Sequence, residues 1–316
     1  MMNVRSRSLS LAMLCAATAL SLAACSSAPK APEAVFETAN KAAALSKLGD
    51  GFMSKRQYSA ALDYYRQAWA TSSSIDDIDG VAAASSSEGR AALALGSIDE
   101  AQAEYEASQD YAKMSGEAAA LSRAQAGLGE VAFARGDLAL ALKLFGEAVA
   151  SAGEGSKALA VALHDRGIVE AARGKFAEAI ADYRAAEASN LKGKRWAELG
   201  ANRYALASAL ARSGKSEEAM KAALGALEAD KKAENAVSIP DDLAALATLA
   251  ETLGKSADAW NYWRRSFDGA EAGGNTAAEK KALTALARLA PTLEKDADGK
   301  RYSVELGKLE GAKTGE

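Results

Sequence analysis

One six-residue pattern recurs along the chain at a nearly constant interval, and that recurrence restricts the fold more than any other feature. It reads Gly96-Ser97-Ile98-Asp99-Glu100-Ala101, then Gly136-Asp137-Leu138-Ala139-Leu140-Ala141 and Gly174-Lys175-Phe176-Ala177-Glu178-Ala179. It returns as Gly214-Lys215-Ser216-Glu217-Glu218-Ala219 and Gly254-Lys255-Ser256-Ala257-Asp258-Ala259. An earlier copy, Arg56-Gln57-Tyr58-Ser59-Ala60-Ala61, lacks the glycine and keeps the register. The closing alanines are separated by 40, 40, 38, 40 and 40 residues. Such an interval belongs to a solenoid, in which each repeat buries its apolar face only against its neighbours.

The flanking residues say what one repeat is. Leu45, Leu48, Gly49 and Phe52 precede the first copy at helical spacing, and Tyr65 and Ala68 follow Ala61 at i+4 and i+7. The fourth residue after the other motif alanines is Tyr105, Phe145, Tyr183, Ala223 and Trp263. A glycine between two helical patterns closes the first helix in a left-handed turn, alanine lets two helices approach closely, and a ring one turn later fills the remaining space. Composition agrees. Apolar residues make up 49% of the chain but aromatics only 6%, and there are 4 prolines. That profile suits alanine-rich helix packing and disfavours a β-sandwich.

The small residue of each first helix (Gly49, Gly89, Gly129, Gly167, Ala207, Ala247), the motif alanine and the following aromatic together resemble the tetratricopeptide repeat (TPR). The resemblance spans residues 33–270. It departs from the family in a period near 40 rather than about 34, in Ser216 and Ser256 where an apolar residue is usual, and in Ala223 where a ring is usual. It implies an all-α fold, a right-handed αα-solenoid of about six TPR-like helical hairpins over residues 33–272. A capping helix at 273–296, carrying Ala282, Leu286 and Leu289, and a frayed polar tail at 297–316 complete the expectation. Another αα-solenoid is the alternative.

Residues 1–24 read as an address. Arg5 and Arg7 precede an apolar run, Leu9 to Leu22, which is short for a membrane span. The run ends in Leu22-Ala23-Ala24-Cys25, which resembles the lipobox of bacterial lipoproteins. The resemblance implies cleavage before Cys25, acylation of its thiol, and, with Ser26 next, export to the outer membrane facing the periplasm. An ordinary signal peptide with a chance cysteine is the other reading. Residues 25–32 form a tether, with Pro29 and Pro32 keeping it out of helix. Its seven residues beyond Cys25 reach at most roughly 25 Å.

Little catalytic chemistry is available. The chain has one histidine and two cysteines, which leaves no disulfide framework and no Cys/His metal cluster. No cofactor is implied. A net charge of -4 gives no basic footprint for nucleic acid. His164 and Asp165 are adjacent, so on a helix their side chains diverge and no nucleophile–base pair forms. Asp76-Asp77-Ile78-Asp79-Gly80 lacks the rest of a calcium loop and reads as helix capping. Asp241 and Asp242 after Pro240 read likewise. Trp263 takes the repeat's packing slot. Trp260 and Tyr262, with Arg264 and Arg265, read as core or edge packing, or as an anchor for a partner.

In TPR proteins the first helices line a concave groove that binds extended peptides. Carried over by register, that wall holds Asp50 and Met53, Arg90 and Leu93, Glu130 and Phe133, then His164, Ile168, Tyr204, Arg212, Thr248 and Glu251. Asp50, Arg90 and Glu130 alternate in sign at equivalent positions, beside an apolar strip of Met53, Leu93 and Phe133. The expected function is a membrane-anchored, non-enzymatic scaffold or adaptor of the bacterial cell envelope, holding a protein or peptide partner in the groove. The alternative is a small-molecule or lipid-binding transport accessory, for which a pocket beneath Met53, Leu93 and Phe133 would be the mark.

Overall fold

A computed structural model describes residues 33–311. Cys25, the leader, the tether and residues 312–316 lie outside the described residues. Helices α1 (Glu33–Ser54), α2 (Tyr58–Ser73), α3 (Ile78–Ala94), α4 (Ile98–Ser115), α5 (Ala118–Ala134), α6 (Leu138–Ser151) and α7 (Lys157–Ala172) form the first half. They are followed by α8 (Phe176–Lys192), α9 (Trp196–Arg212), α10 (Ser216–Lys232), α11 (Ile239–Thr252), α12 (Ser256–Ala272), α13 (Thr276–Leu289) and α14 (Asp296–Gly311). Each packs on the next, giving consecutive antiparallel hairpins and no strand among the described residues. No described helix is long and apolar enough to cross a membrane.

The repeat motif is the turn inside each hairpin. Its glycine is left-handed in every copy, with φ between 71° and 81° from Gly96 to Gly254. In the first copy Arg56 takes that conformation, at φ 58°, which costs a side-chain-bearing residue roughly 1–2 kcal/mol. Each motif alanine is fully buried. The ring four residues later lies on the small residue of its own first helix. A Cβ added to Gly49 would stand 2.5 Å from the Tyr65 ring, one at Gly129 2.9 Å from Phe145, and one at Gly167 2.7 Å from Tyr183. The longer period goes into longer helices, mostly of 16 to 18 residues.

Successive first helices also touch along α1, α3, α5, α7 and α9. Their partners in the hairpins are held apart, so the odd-numbered helices line the inner wall. Asp77 caps α3, its carboxylate accepting from Gly80 N at 3.0 Å. Asp242, however, does more than face the α11 dipole: it is 1% exposed beside Asp230, and one of its oxygens has no hydrogen bond. Burial first, and then the Asp230 charge, push its carboxyl up to about 8.

The C-terminal expectation needs correction. Residues 297–316 read as a frayed polar tail, yet Asp296–Gly311 is helical and completes a seventh hairpin with α13. A sparse stripe holds it: Tyr302, Leu306 and Leu309 recur at i, i+4 and i+7 and pack on the last core cluster. Tyr302 is buried, its ring 5.9 Å from both Trp260 and Phe267. Trp260 is thereby core, and the reading of that residue as an exposed partner anchor fails. Tyr262 is half-buried against the neighbouring clusters, with Arg265 over its ring.

Candidate protein-binding groove

The residue after each small position is turned about 100° further round its helix, from the hairpin core towards the inner wall. Asp50, Arg90 and Glu130 hold that position in α1, α3 and α5. The first two meet. Tyr65 Oη donates to Asp50 Oδ1 at 2.7 Å, and Arg90 Nη2 reaches the same oxygen at 2.6 Å and Tyr65 Oη at 2.7 Å. Burial, then the bond to Asp50, push the Tyr65 hydroxyl up to about 12. The two charged side chains are half exposed or more, so their pairing sets register and contributes at most about 1 kcal/mol.

Glu130 is different. It forms no ion pair or hydrogen bond among the described residues, and its acidic neighbour is Asp165 of α7. Desolvation pushes the Glu130 carboxyl up to about 7, against the pull of Arg90. Asp165 is raised as well, by burial and then by Glu130, and its Oδ2 is buried without a hydrogen bond. Sequence reasoning weighed Asp165 only as a partner of His164 and missed it as a groove residue. The available signal was its position one turn before Ile168, the counterpart of Glu130 in the next repeat.

A cavity of about 360 Å³ opens between α3, α5 and α7, lined among others by Arg90, Tyr105, Arg123, Glu130, Lys157 and Val161. It is not the pocket the sequence pointed to. Met53 and Leu93 pack against the core clusters of their own hairpins, and neither they nor Phe133 line it. Phe133 is partly exposed. The apolar strip is therefore split, because its members fall in the last turn of each first helix, where the chain folds back onto the second.

The remaining groove residues serve mostly as joints between hairpins. His164 is half-buried, with Nδ1 3.2 Å from Asn202 Oδ1 and its ring facing Tyr183; burial lowers its pKa. It borders a separate cavity of about 100 Å³ with Val161, Asn190 and Glu198. Tyr204 is partly exposed on α9. Arg212, at the end of α9, lies 4.6 Å over the Phe176 ring. Ile168 packs into the neighbouring core, and Thr248 Oγ1 donates to Ala244 O. Glu251 accepts from Trp263 Nε1 at 2.7 Å and from Arg288 at 2.6 Å, linking three helices. Among the described residues, no group of three or more His, Cys, Asp or Glu is placed to hold a metal ion.

No protein-family model and no curated protein matches the sequence. Solved structures do match. One is a signal transduction ATPase from Pyrococcus horikoshii with a tetratricopeptide repeat sensor, at TM-score 0.66 and 13% identity over 87% of this chain and 43% of that one. A second is PilF of Pseudomonas aeruginosa, at TM-score 0.57 and 18% identity over 73% of this chain and 93% of that one. A third is a Rap protein complexed with Competence and Sporulation Factor, at TM-score 0.57 and 15% identity over 85% and 74%. The fold is a TPR solenoid. At these identities the likeness carries architecture alone.

Proposed function

We propose that this chain is a lipid-anchored, non-enzymatic scaffold of the bacterial cell envelope that holds a protein or peptide partner in its concave groove. The observation that carries the reading is the cavity between α3, α5 and α7, set in a wall of first helices that otherwise serve to join hairpins. That a Rap protein of similar fold forms a complex with Competence and Sporulation Factor supports a solenoid of this kind holding a partner. The lipobox-like Leu22-Ala23-Ala24-Cys25 supports acylation of Cys25 and an outer-membrane position facing the periplasm. A second reading, a small-molecule or lipid-binding accessory, draws on the cavity volume, which falls within the range of ligand pockets.

Crosslinking in cells, affinity capture and mass spectrometry test both readings. Wild type is compared with a triple variant, Asp50→Ala, Arg90→Ala and Glu130→Ala. An envelope protein enriched with wild type and lost with the triple variant is expected. Enrichment of none, with a bound metabolite or lipid in native mass spectra, would transfer the groove to the second reading. Labelled palmitate should enter wild type and not Cys25→Ser; equal labelling would remove the anchor.

A further inference from the structure

The cavity between α3, α5 and α7 has an uneven charge balance. Each cation on its wall already has an acid of its own. Arg90 is held by Asp50 at 2.6 Å, Arg123 by Glu117 at 3.5 Å, and Lys157 by Glu198 at 2.7 Å. The acids have no such partners. Glu130 lines the cavity without an ion pair or hydrogen bond, and Asp165, one turn beyond the lining residue Val161, has a buried oxygen with no bond. A third unpartnered group is the Tyr105 hydroxyl. Tyr105 is 3% exposed and lines the cavity, and it makes no hydrogen bond among the described residues. Its ring is fixed from both sides. A Cβ at Gly127 would fall 2.1 Å from it and one at Gly89 3.0 Å, so the hydroxyl is held in place before any ligand arrives.

We propose that this cavity is a socket for one basic side chain, lysine or arginine, of the protein partner. The proposal rests on the groove reading above and names the chemistry that the groove selects. An ammonium or guanidinium brings donors and no acceptor, and donates to the Glu130 carboxylate and the Tyr105 oxygen. The apolar wall of Ala83, Ala126 and Val161 takes the methylene stem, as long cationic side chains bury their stems and leave the head to polar partners. An acidic side chain would meet cations already neutralised and two carboxyls that oppose it.

The socket is coupled to protons. Unpaired, Glu130 and Asp165 hold protons that a buried ionised pair could not lose without cost. The incoming cation favours their ionised forms, so binding releases protons and tightens as pH rises through about 7, the region to which Glu130 is pushed. The other charged or titratable groups facing the pair are Arg90 from α3, Tyr105 from α4, Arg123 on α5, Lys157 on α7 and Tyr183 from α8. The Arg90 guanidinium and the Tyr105 and Tyr183 hydroxyls are all pushed up and keep their charge states across neutrality. His164 is engaged with Asn202.

The test uses full-length protein and three blocked tripeptides, acetyl-Gly-X-Gly-amide with X lysine, norleucine or glutamate, titrated by NMR at pH 6 and pH 8. Expected is about tenfold preference for lysine over norleucine at pH 8, weaker at pH 6, and lost in Glu130→Gln/Asp165→Asn. That double variant removes buried repulsion and should melt no lower than wild type. Ser87→Phe, on the cavity wall, should block binding while leaving the carboxyls intact. Equal lysine and norleucine binding, a preference for glutamate, or no lysine binding at about 10 mM overturns the socket. The scaffold reading fails separately. A partner captured equally by wild type and by Glu130→Gln/Asp165→Asn removes the socket and keeps the groove, whereas a wild type that captures nothing removes the scaffold.

Discussion

In hairpins one to four a glycine of the first helix lies under an aromatic ring of the second; in hairpin five both places are alanine. Gly49 and Tyr65, Gly89 and Tyr105, Gly129 and Phe145, and Gly167 and Tyr183 make the first set. Ala207 and Ala223 make the second, buried together in one cluster. The alanine pair is smaller in total than a glycine with a ring, and Leu206, Leu210 and Leu227 pack in the same cluster, filling the interior as close packing requires. With serine in place of the usual apolar motif residue and alanine in place of the ring, α9 and α10 still make one of the most extensive contacts in the molecule. Hairpin six combines Ala247 with Trp263, whose larger ring also satisfies its Nε1–H on Glu251. The two halves differ at the inner wall too. The ring-and-glycine half holds the cavity between α3, α5 and α7, and Tyr105, a ring of that half, joins its lining.

The largest effect that would break this comparison is loss of a ring. Tyr105→Ala should lower stability by about 3–5 kcal/mol, read as a shift in the urea midpoint; a change under about 1 kcal/mol would mean that the ring is not the hairpin's core. Ala223→Phe sharpens it. Alone it should destabilise by roughly 1–3 kcal/mol through overpacking, and adding Ala207→Gly should recover most of the loss. No recovery would show that the two positions do not share one space.

Asp242 supplies a pH test between hairpins five and six. Its folded carboxyl is pushed up to about 8 from an ordinary value of 3.8. Between those values the native state holds a proton that the unfolded chain has released, so stability declines as pH rises from about 4 to about 8. Asp242→Asn should flatten that slope and raise the melting temperature most at pH 8. The gain is on the order of 1–3 kcal/mol, the cost of an unsatisfied buried acceptor. An unchanged slope would place the titration elsewhere. The smallest effect is at the first turn. Arg56→Gly should stabilise by about 1 kcal/mol, whereas Gly96→Arg at the equivalent turn should cost a similar amount; opposite signs would dissociate the motif from its turn.

Much of the fold is legible in the sequence because its cause is local. A left-handed turn needs glycine or a strained substitute, and a 40-residue interval repeats that need, so hairpin register is readable from Gly96, Gly136, Gly174, Gly214 and Gly254 alone. The seventh hairpin is nearly invisible by the same means. Of the large apolar residues on its second helix, Tyr302, Leu306 and Leu309 pack inward while Val304 stays exposed, and a stripe that thin is held where Trp260 and Phe267 cover Tyr302. The groove lies between these cases. Register gives Asp50, Arg90 and Glu130 equivalent positions on α1, α3 and α5. It does not say that Asp50 and Arg90 close on each other while Glu130 turns to Asp165.

The sequence by itself determined the repeat unit, the turns and the pairing of small and large residues. Those follow from backbone sterics and side-chain volume, which neighbours in sequence carry. Only the tertiary structure decided which wall residues pair, that Trp260 is core, and that an open cavity lined by the unpartnered Glu130 and by Tyr105 lies between α3, α5 and α7. Those depend on the rotation between successive hairpins. In the fourth hairpin Ile168 rather than a charged residue holds the place of Glu130, and Asp165, one turn away, is the acid that senses the Glu130 charge.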